Sequence, residues 1–559
     1  MCGIFFSLVP KSDPASNIDK DFSARYTVAG LQLEQALKCR GPDCDNAIVV
    51  DTKIEDNESH HLTLFSTVLS MRDPLTPQPL QSQDGGILQF NGELYDTVGR
   101  LEEYRLDLLG DDTACTNDTA LLSQLFGRFG VLETIQSIRG EYAFVYYDVL
   151  SRCIWWARDC IGRRSLLVNR SRMDCMALSS LPPANPALRV DWQEVPAGEV
   201  YKLDLRTMDI TAIPWSYDSC SPLKYPYAPI CLDISVSQHS YDTLVTEFSS
   251  ILLAAVRRRV LAMHHSRSKP DTYAILFSGG IDCTLIAYLT AVCLRDHNAH
   301  IDLLNVAFEN PRINTGFNTP DRVLGRRSWQ ELTCLPEIQS CRCDFRFVEI
   351  NVRYSQVLES KTSVQELMFP KCTVMDFSIA LAFYFAARGV GTMFSCPLAA
   401  AAGDDAPAAE EEYSTPSRVL MSGLGADELF AGYTRHMTSF ARGGYEVLAN
   451  ELALDFKRLH ERNLGRDDRV GANWSKEFRY PYLDEEVVDF ALRCPLDSKL
   501  RVVGGENGVR EGKWLLRQFA RHVGLRNVAE EKKRAIQFGA RSAKMEPGQG
   551  KIKGTAKFV

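Results

Sequence analysis

No stretch of this sequence supplies the ~18 uninterrupted apolar residues that a membrane-crossing helix requires. None of its cysteines forms two close pairs at zinc-site spacing, because Cys341-Arg342-Cys343 has no second pair to match it. No secretory signal is expected, since Gly3 to Pro10 is too short for the apolar core of one and lacks a basic flank. The net charge of −8 leaves no basic face for nucleic acid and works against anionic membranes. These absences set aside a membrane span, a zinc module and a nucleic-acid binder. The expected location is the reducing cytoplasm, where most of the 17 scattered cysteines serve as small buried apolar residues.

What is present is a chain of 559 residues, more than one hydrophobic core covers, so two or three domains are expected. Its 45% hydrophobic and 24% charged content is that of a soluble globular protein. Near the middle, Ala274 to Phe277 is an apolar run short enough for a buried strand, Ser278-Gly279-Gly280 is a tight turn, and Ile281 to Leu294 has helical spacing. Such a turn aims backbone N–H groups at one spot before a helix N-terminus, where the helix dipole adds partial positive charge. Glycines let an anion approach, Ser278 adds a hydroxyl, and Asp282 can hold Mg²⁺ beside a phosphate. No lysine follows the glycines, so this is not the Walker pattern. Taken alone, the loop reads either as a phosphate cradle or as an ordinary turn.

The sequence begins Met1-Cys2-Gly3-Ile4. A small residue after the initiator Met lets that Met be removed, leaving Cys2 with a thiol and a free α-amine. With a pKa near ~8, that amine can act as general base for its own thiol. A chance cysteine is the alternative. Further on, Arg40 in Arg40-Gly41-Pro42-Asp43 offers a guanidinium suited to the α-carboxylate of an amino acid. Gln78-Pro79-Leu80 and an apolar strand from Ile87 to Phe90 lead to Asn91-Gly92-Glu93-Leu94-Tyr95. There the Asn91 amide and the Gly92 N–H can form an oxyanion hole, and Glu93 can take an α-ammonium. Asp118 opens a helix, either as a ligand or as a simple N-cap.

Together with Arg139 to Phe144, Ala157-Arg158-Asp159 and Gly162 to Leu166, these segments resemble the class II glutamine amidotransferase domain of asparagine synthetases, over roughly residues 2 to 190. The resemblance implies an α+β N-terminal-nucleophile αββα sandwich, two antiparallel sheets between helices. It implies Cys2 as nucleophile, Asn91 and Gly92 as oxyanion hole, and Arg40, Glu93 and Asp118 as glutamine ligands. Asp96 departs from the family's usual Asn, and Val68 stands where an Arg is common. Alternating runs such as Tyr142 to Asp148 and Cys153 to Ala157 agree with strands.

Pro214, Pro222, Pro226 and Pro229 mark residues 213–240 as a linker. Leu244, Phe248, Ile251, Leu252 and Val256 then form a helical stripe, and Arg257, Arg258 and Arg259 read as its solvated end. Ile301 to Phe308 and Phe345 to Ile350 are expected as further strands of a parallel sheet, with a ligand at the C-terminal strand ends. Ala399 to Ser417 reads as a disordered surface loop. After a strand from Arg418 to Met421 comes Ser422-Gly423-Leu424-Gly425-Ala426-Asp427-Glu428. Its glycines and carboxylates suit a second side of a nucleotide and metal site, or merely a helix start that acidic residues favour.

The Ser278 loop resembles the SGGxDS loop of ATP pyrophosphatases, with Cys283 for the last Ser, and the Ser422 segment resembles the SGEGADE motif of asparagine synthetases. Asn463 to Arg469, Glu477 to Asp484, Lys513 to Arg517 and Lys532 to Gly539 follow in that family's order, so the likeness covers about residues 240 to 540. It implies an α/β parallel-sheet ATP pyrophosphatase domain. Leu276, Ser278, Gly279, Gly280, Asp282, Cys283, Ser422, Gly423 and Lys513 would bind ATP, and Asp282 and Asp427 would bind Mg²⁺. Two departures fall on the acceptor side: Leu424 replaces the Glu that assists activation of the aspartate carboxylate, and Ala380 gives no Arg to hold a carboxylate.

The expected division is a glutaminase domain at 2–212, the linker, a synthetase-like domain at 241–544 and a flexible tail at 545–559. The implied activity is hydrolysis of glutamine at Cys2 and amidation of an ATP-activated carboxylate, aspartate first. Glutamine, ATP and aspartate would be the substrates, with a homodimer as a possible assembly. The rivals are a glutaminase serving another acceptor and a non-catalytic nucleotide-binding interaction protein.

Overall fold

The computed structural model describes residues 2–11, 27, 31–54, 58–72, 74–97, 117–172, 175–217, 221, 225–233, 238–261, 271–313, 315–395, 412–503, 509–546 and 553–557. Two six-stranded sheets come from the first part of the chain. One runs, in spatial order, Trp192–Glu194, Leu167–Arg172, Cys175–Ser179, Gly3–Pro10, Glu58–Val68, Cys44–Ile54. The other runs Ile210–Pro214, Glu199–Asp204, Cys153–Arg158, Ile138–Asp148, Ile87–Thr97, Leu80–Gln81. Neighbours in both are antiparallel.

Period-two patterning explains how these sheets stack. Ile4, Phe6 and Leu8 of one meet Ala143, Val145 and Tyr147 of the other in a shared buried cluster. The intervening residues face outward. Phe144 and Tyr146 meet Phe126 of the helix Asp118–Phe129, and the helix Glu34–Arg40 lies on Gly3–Pro10 and Glu58–Val68.

The third sheet has seven strands, in the order Glu412–Ser414, Val390–Phe394, Asp344–Val352, Ala299–Phe308, Asp271–Leu276, Val419–Met421, Glu477–Arg479. From Asp344–Val352 to Glu477–Arg479 neighbours are parallel, but Val390–Phe394 and Glu412–Ser414 are antiparallel, which corrects the expectation of a wholly parallel sheet. Two helices, Tyr354–Leu367 and Val374–Arg388, precede Val390–Phe394, so the chain re-enters the sheet from the opposite end. Glu412–Ser414 belongs to the stretch read as a disordered loop, most of which lies outside the described residues.

Packing corrects the readings of Arg259 and of the tail. Arg259 is no solvated helix end: it is fully buried, with Nε 2.8 Å from Glu141 Oε1 and Nη1 2.7 Å from Asp484 Oδ2. The proline-rich segment is expected as a linker; among its described residues Tyr225 and Tyr227 stack edge-on, Tyr225 on Trp215 and Tyr227 on Phe456. Where a flexible tail was expected, Met545 is buried, and the N–H groups of Val374 and Met375 donate to the carbonyls of Ala556 and Gly554. First-turn helix amides need such acceptors. No helix among the described residues is long and apolar enough to cross a membrane.

Candidate active sites: two pockets

Cys2 stands directly before the strand Gly3–Pro10, and its main-chain N–H donates to Asn91 Oδ1 at 2.9 Å. That contact turns Asn91 Nδ2 away, where it is buried without a hydrogen-bond partner among the described residues. A buried orphan amide donor is suited to meet an oxyanion, although Asn91 itself does not line the pocket that holds Cys2. At Gly92 a Cβ would lie 2.1 Å from the Glu141 carbonyl, so the strand pairing itself demands glycine. Gln78 Nε2 lies 3.6 Å from Cys2 Sγ and 3.1 Å from Thr119 Oγ1, while its oxygen accepts the Phe90 N–H at 2.7 Å. Burial pushes the Cys2 thiol up, against a hydrogen bond from the Leu69 amide and the charge of Arg40. Such a thiol needs a base before it can attack.

Cys2, Gly92, Glu93 and Asp118 line one small pocket with Arg72 and Glu477. Arg40 does not line it, which corrects its reading as a glutamine ligand. It is fully buried, with Nη2 3.0 Å from Asp468 Oδ2 and Nε 3.3 Å from the Cys2 carbonyl. The guanidinium in the pocket belongs to Arg72, whose Nη2 is 2.8 Å from Glu93 Oε2 and whose Nη1 is 2.8 Å from Asp118 Oδ1. Sequence reasoning sought an arginine at Val68, the last residue of Glu58–Val68. The chain continues past that strand and presents its arginine four positions later.

Asp118 is not the helix cap. Asn117 is, its side chain accepting from the N–H groups of Thr119 and Ala120, while Asp118 Oδ2 accepts from Leu94 N at 2.8 Å. Burial pushes both pocket carboxyls up, Glu93 to about 8, with the Arg72 charge opposing it.

The second pocket is a cavity of about 630 Å³ at the C-terminal ends of Asp271–Leu276, Ala299–Phe308 and Val419–Met421, the position such a sheet favours for a ligand. Leu276, Ser278, Gly280, Asp282, Cys283, Ser422 and Gly423 all line it. Gly279 has φ +81, and a Cβ there would lie 2.5 Å from the Gly325 nitrogen. The helix Ile281–Cys293 begins at Gly280 without a side-chain cap, so its first N–H groups remain for an anion. Cys283 Sγ donates to the Gly280 carbonyl at 3.2 Å and lies 3.6 Å from Ser278 Oγ, so it ties the loop together. Gly423 rests on Asp282, where a Cβ would lie 2.9 Å from Asp282 Cβ, and this brings the two loops into contact.

Beneath them Lys513 Nζ lies 2.7 and 2.5 Å from the Asp282 oxygens and 2.6 Å from Asp427 Oδ1. Lys533, quoted above within its stretch but given no role, also pairs with Asp427. Burial opposes the charge of Asp427, yet Lys513 and Lys533 hold its carboxyl well below the usual carboxylate range. Two converging carboxylates are the oxygen donors Mg²⁺ takes, but two ammonium groups already balance them. The set therefore fits Mg²⁺ arriving with phosphate oxygens, and among the described residues no group of three or more His, Cys, Asp or Glu is gathered for a metal.

Elsewhere the cavity wall is apolar at Met375, Ile379, Phe383 and Leu424. Two of its guanidinium groups are already engaged: Arg466 lies 3.0 Å from Asp376 and 2.8 Å from Asp467, and Arg435 lies 2.6 Å from Asp455; Arg462 and Arg534 line it as well. Ala380, read above as the place of a missing arginine, is buried in the core and off this wall. The phase of Val374–Arg388 puts Met375, Asp376, Ile379 and Phe383 there instead.

The glutamine amidotransferase domain family matches residues 1–195, and the asparagine synthase family matches residues 440–551. Asparagine synthetase domain-containing protein YML096W of Saccharomyces cerevisiae is 34% identical over 520 residues, covering 91% of this chain and 88% of that protein. Asparagine synthetase domain-containing protein 1 of Homo sapiens is 30% identical over 660 residues, covering 98% and 96%. A glutamine-hydrolyzing asparagine synthetase of Asparagus officinalis is 22% identical over 524 residues, covering 93% and 73%. Among solved structures, glutamine phosphoribosylpyrophosphate amidotransferase from B. subtilis covers 56% of this chain and 68% of its own at 15% identity, with a TM-score of 0.27 that carries no argument. The class is thus that of asparagine synthetase-like glutamine amidotransferases. Within it, the chain belongs to the asparagine synthetase domain-containing protein family.

Proposed function

We propose that this chain hydrolyses glutamine at Cys2 and uses the ammonia to amidate a carboxylate that ATP has activated in the Ser278 cavity, with aspartate, giving asparagine, as the first acceptor. The glutaminase unit is assigned to residues 2–212 and the ATP-dependent unit to 241–544, in the cytoplasm. The observation that supports this best is the meeting of Cys2, Gly92 and the Arg72–Glu93–Asp118 set around one pocket, with the orphan Asn91 amide on the strand that carries Gly92 and Glu93.

With Met1 removed, the Cys2 α-amine takes the thiol proton and Sγ attacks the glutamine carboxamide carbon. Asn91 Nδ2 and the Gly92 N–H receive the developing oxyanion. The C–N bond breaks with its nitrogen protonated, ammonia leaves, and water hydrolyses the thioester to glutamate. Arg72 takes the substrate α-carboxylate, and Glu93 with Asp118 takes the α-ammonium. In the cavity, Ser278 and the amides of the Gly280 turn hold phosphate, Lys513 and Lys533 neutralise it, and Ser422 and Gly423 orient the adenylate. Asp282 and Asp427 would hold Mg²⁺, which when bound supplies charge neutralisation for the leaving pyrophosphate. An acceptor carboxylate oxygen attacks the α-phosphorus, pyrophosphate departs, and ammonia then displaces AMP from the acyl carbon.

A second reading, a different acceptor, is favoured by one observation. Leu424, Met375, Ile379 and Phe383 face the cavity where a polar amino-acid head would need charge partners, and Arg435 and Arg466 on the same cavity are already paired, which leaves Arg462 and Arg534 as the other guanidinium groups there. AMP formation from glutamine and Mg²⁺ATP, assayed with aspartate and with less polar carboxylic acids, separates the two. AMP with aspartate supports the first, AMP with another acid alone supports the second, and glutamate release without AMP in any mixture contradicts both.

A further inference from the structure

One short strand links the glutamine pocket to the Ser422 loop of the other pocket. Glu477–Arg479 is the edge strand of the seven-stranded sheet, yet Glu477 lines the glutamine pocket formed chiefly by the N-terminal part of the chain. Arg479 Nη2 lies 3.3 Å from Glu93 Oε1, its Nε donates to Glu477 Oε1 at 2.8 Å, and its Nη1 donates to the Arg259 carbonyl at 2.5 Å. On the main chain, the Arg479 carbonyl accepts the Ser422 N–H at 2.9 Å, and Arg479 pairs with Met421 in the parallel ladder. One residue thus grips the pocket carboxylate with its side chain and the first residue of the second nucleotide loop with its backbone.

Arg479, Glu93 and Glu477 are all buried, at 0%, 2% and 1% exposure, so charges here act in a medium that screens poorly. An α-ammonium arriving at Glu93 would share its oxygens with Arg72 on Oε2 and with the buried Arg479 on Oε1, and would repel both. A further carboxylate partner of Arg479 is Glu477 on the same strand. Displacement toward it loads the strand that carries the hydrogen bond to Ser422.

We propose that Arg479 is a positioning residue that couples the glutamine pocket to the Ser422 loop, so that occupancy of either pocket changes the affinity of the other. This rests on the assignment of Glu93 to the glutamine α-ammonium and of Ser422 to the nucleotide. Such coupling is reciprocal: whatever factor the nucleotide imposes on glutamine binding, glutamine imposes on the nucleotide.

The test uses the full chain carrying Cys2→Ala, which binds glutamine without consuming it. Glutamine dissociation constants are measured by calorimetry with and without Mg²⁺ and an ATP analogue that cannot be cleaved at the α-phosphorus. A change of about 5-fold or more is expected, falling to within about 2-fold of unity when Arg479→Lys is added, because a lysine keeps the charge but loses the fork that spans Glu93 and Glu477. Glu477→Gln, which preserves shape, is expected to shrink the factor as well. As a measurement independent of any variant at position 479, glutamine alone should alter amide exchange of the peptide holding Ser422 to Leu424. An unchanged coupling factor in both variants, a factor of one without them, or unaltered exchange at Ser422 on adding glutamine would overturn the proposal. Failure to bind glutamine at all would instead overturn the assigned function; independent binding of glutamine and nucleotide would remove the coupling alone.

Discussion

The glutamine pocket and the nucleotide cavity are built on opposite plans. Around Cys2 the charges are fixed against one another at contact distance, Arg72 between Glu93 and Asp118 and Arg479 behind Glu93, and the space left is small. The cavity is wide, with a dense charge cluster where Asp282, Asp427, Lys513 and Lys533 meet, further charged side chains such as Lys371, Arg466 and Arg534 on its wall, and an apolar stretch at Met375, Ile379, Phe383 and Leu424. A pocket whose charges are held in place discriminates one polar substrate. A cavity with one dense charge cluster and a mixed wall can fix phosphate and present both charge and shape to an acceptor. Under the proposed function, the contrast puts specificity for glutamine in fixed side-chain charge and specificity for the acceptor in this mixed wall.

The sharpest way to break this comparison is to remove chemistry from one pocket only. Cys2→Ala should lower glutamate release from glutamine by about 10³-fold or more, while AMP formation driven by added ammonia is retained. Loss of both activities would show that the pockets are not separate.

Lys513→Met attacks the charged part of the other pocket. It leaves Asp282 and Asp427 close together with one lysine fewer between them, and breaking such a buried pair should reduce stability by about 3–5 kcal/mol, read from urea unfolding. A midpoint equal to that of the parent would mean the cluster is solvated and not the electrostatic centre described.

Arg72→Lys tests which guanidinium serves the glutamine pocket. A lysine cannot hold two carboxylates in one fork, so the glutamine KM should rise by about 10-fold, a loss near 1.4 kcal/mol, with kcat changed less. Arg40→Lys should instead lower stability, because it disturbs the buried pair with Asp468, and leave the glutamine KM close to the parent value. The reverse pattern would restore Arg40 as the ligand.

The smallest effect expected is one of pH. Burial raises the Glu93 carboxyl above its ordinary range, against the charges of Arg72 and Arg479, so the charge it offers an ammonium weakens as pH falls. The glutamine KM should therefore fall as pH rises from the ordinary carboxylate range. Over the same interval the fold loses stability, because the folded state keeps a proton that the unfolded chain has already released near the ordinary carboxylate value. A flat KM profile would contradict an ionised Glu93 as the ammonium ligand.

Local chemistry was readable and long-range placement was not. Cys2, Asn91, Gly92 and Glu93 were legible because a thiol at position 2 and an Asn-Gly-Glu run after a strand specify their surroundings within a few residues. The Ser278 and Ser422 loops were legible for the same reason, a strand, a glycine turn and a carboxylate, and the fold brings them into contact. Arg72, Lys533 and Glu477 were not, since each reaches its pocket from a segment whose own sequence gives no sign of what it faces. Arg40 and Arg259 misled in the same way: polar residues that look exposed by type are buried here because carboxylates from distant segments meet them. The antiparallel direction of Val390–Phe394 follows from a doubled helix between strands, a feature that hydrophobic periodicity does not translate into strand direction.

The central claim is that ammonia freed at Cys2 ends in a carboxylate activated at the Ser278 cavity. The most direct test supplies glutamine labelled with nitrogen-15 in its side-chain amide, together with Mg²⁺ATP and aspartate or another candidate acid, and follows the label by mass spectrometry. Labelled amide product accompanied by an equal amount of AMP is the predicted result; labelled free ammonia with no AMP and no labelled product, whatever the acid, would contradict it.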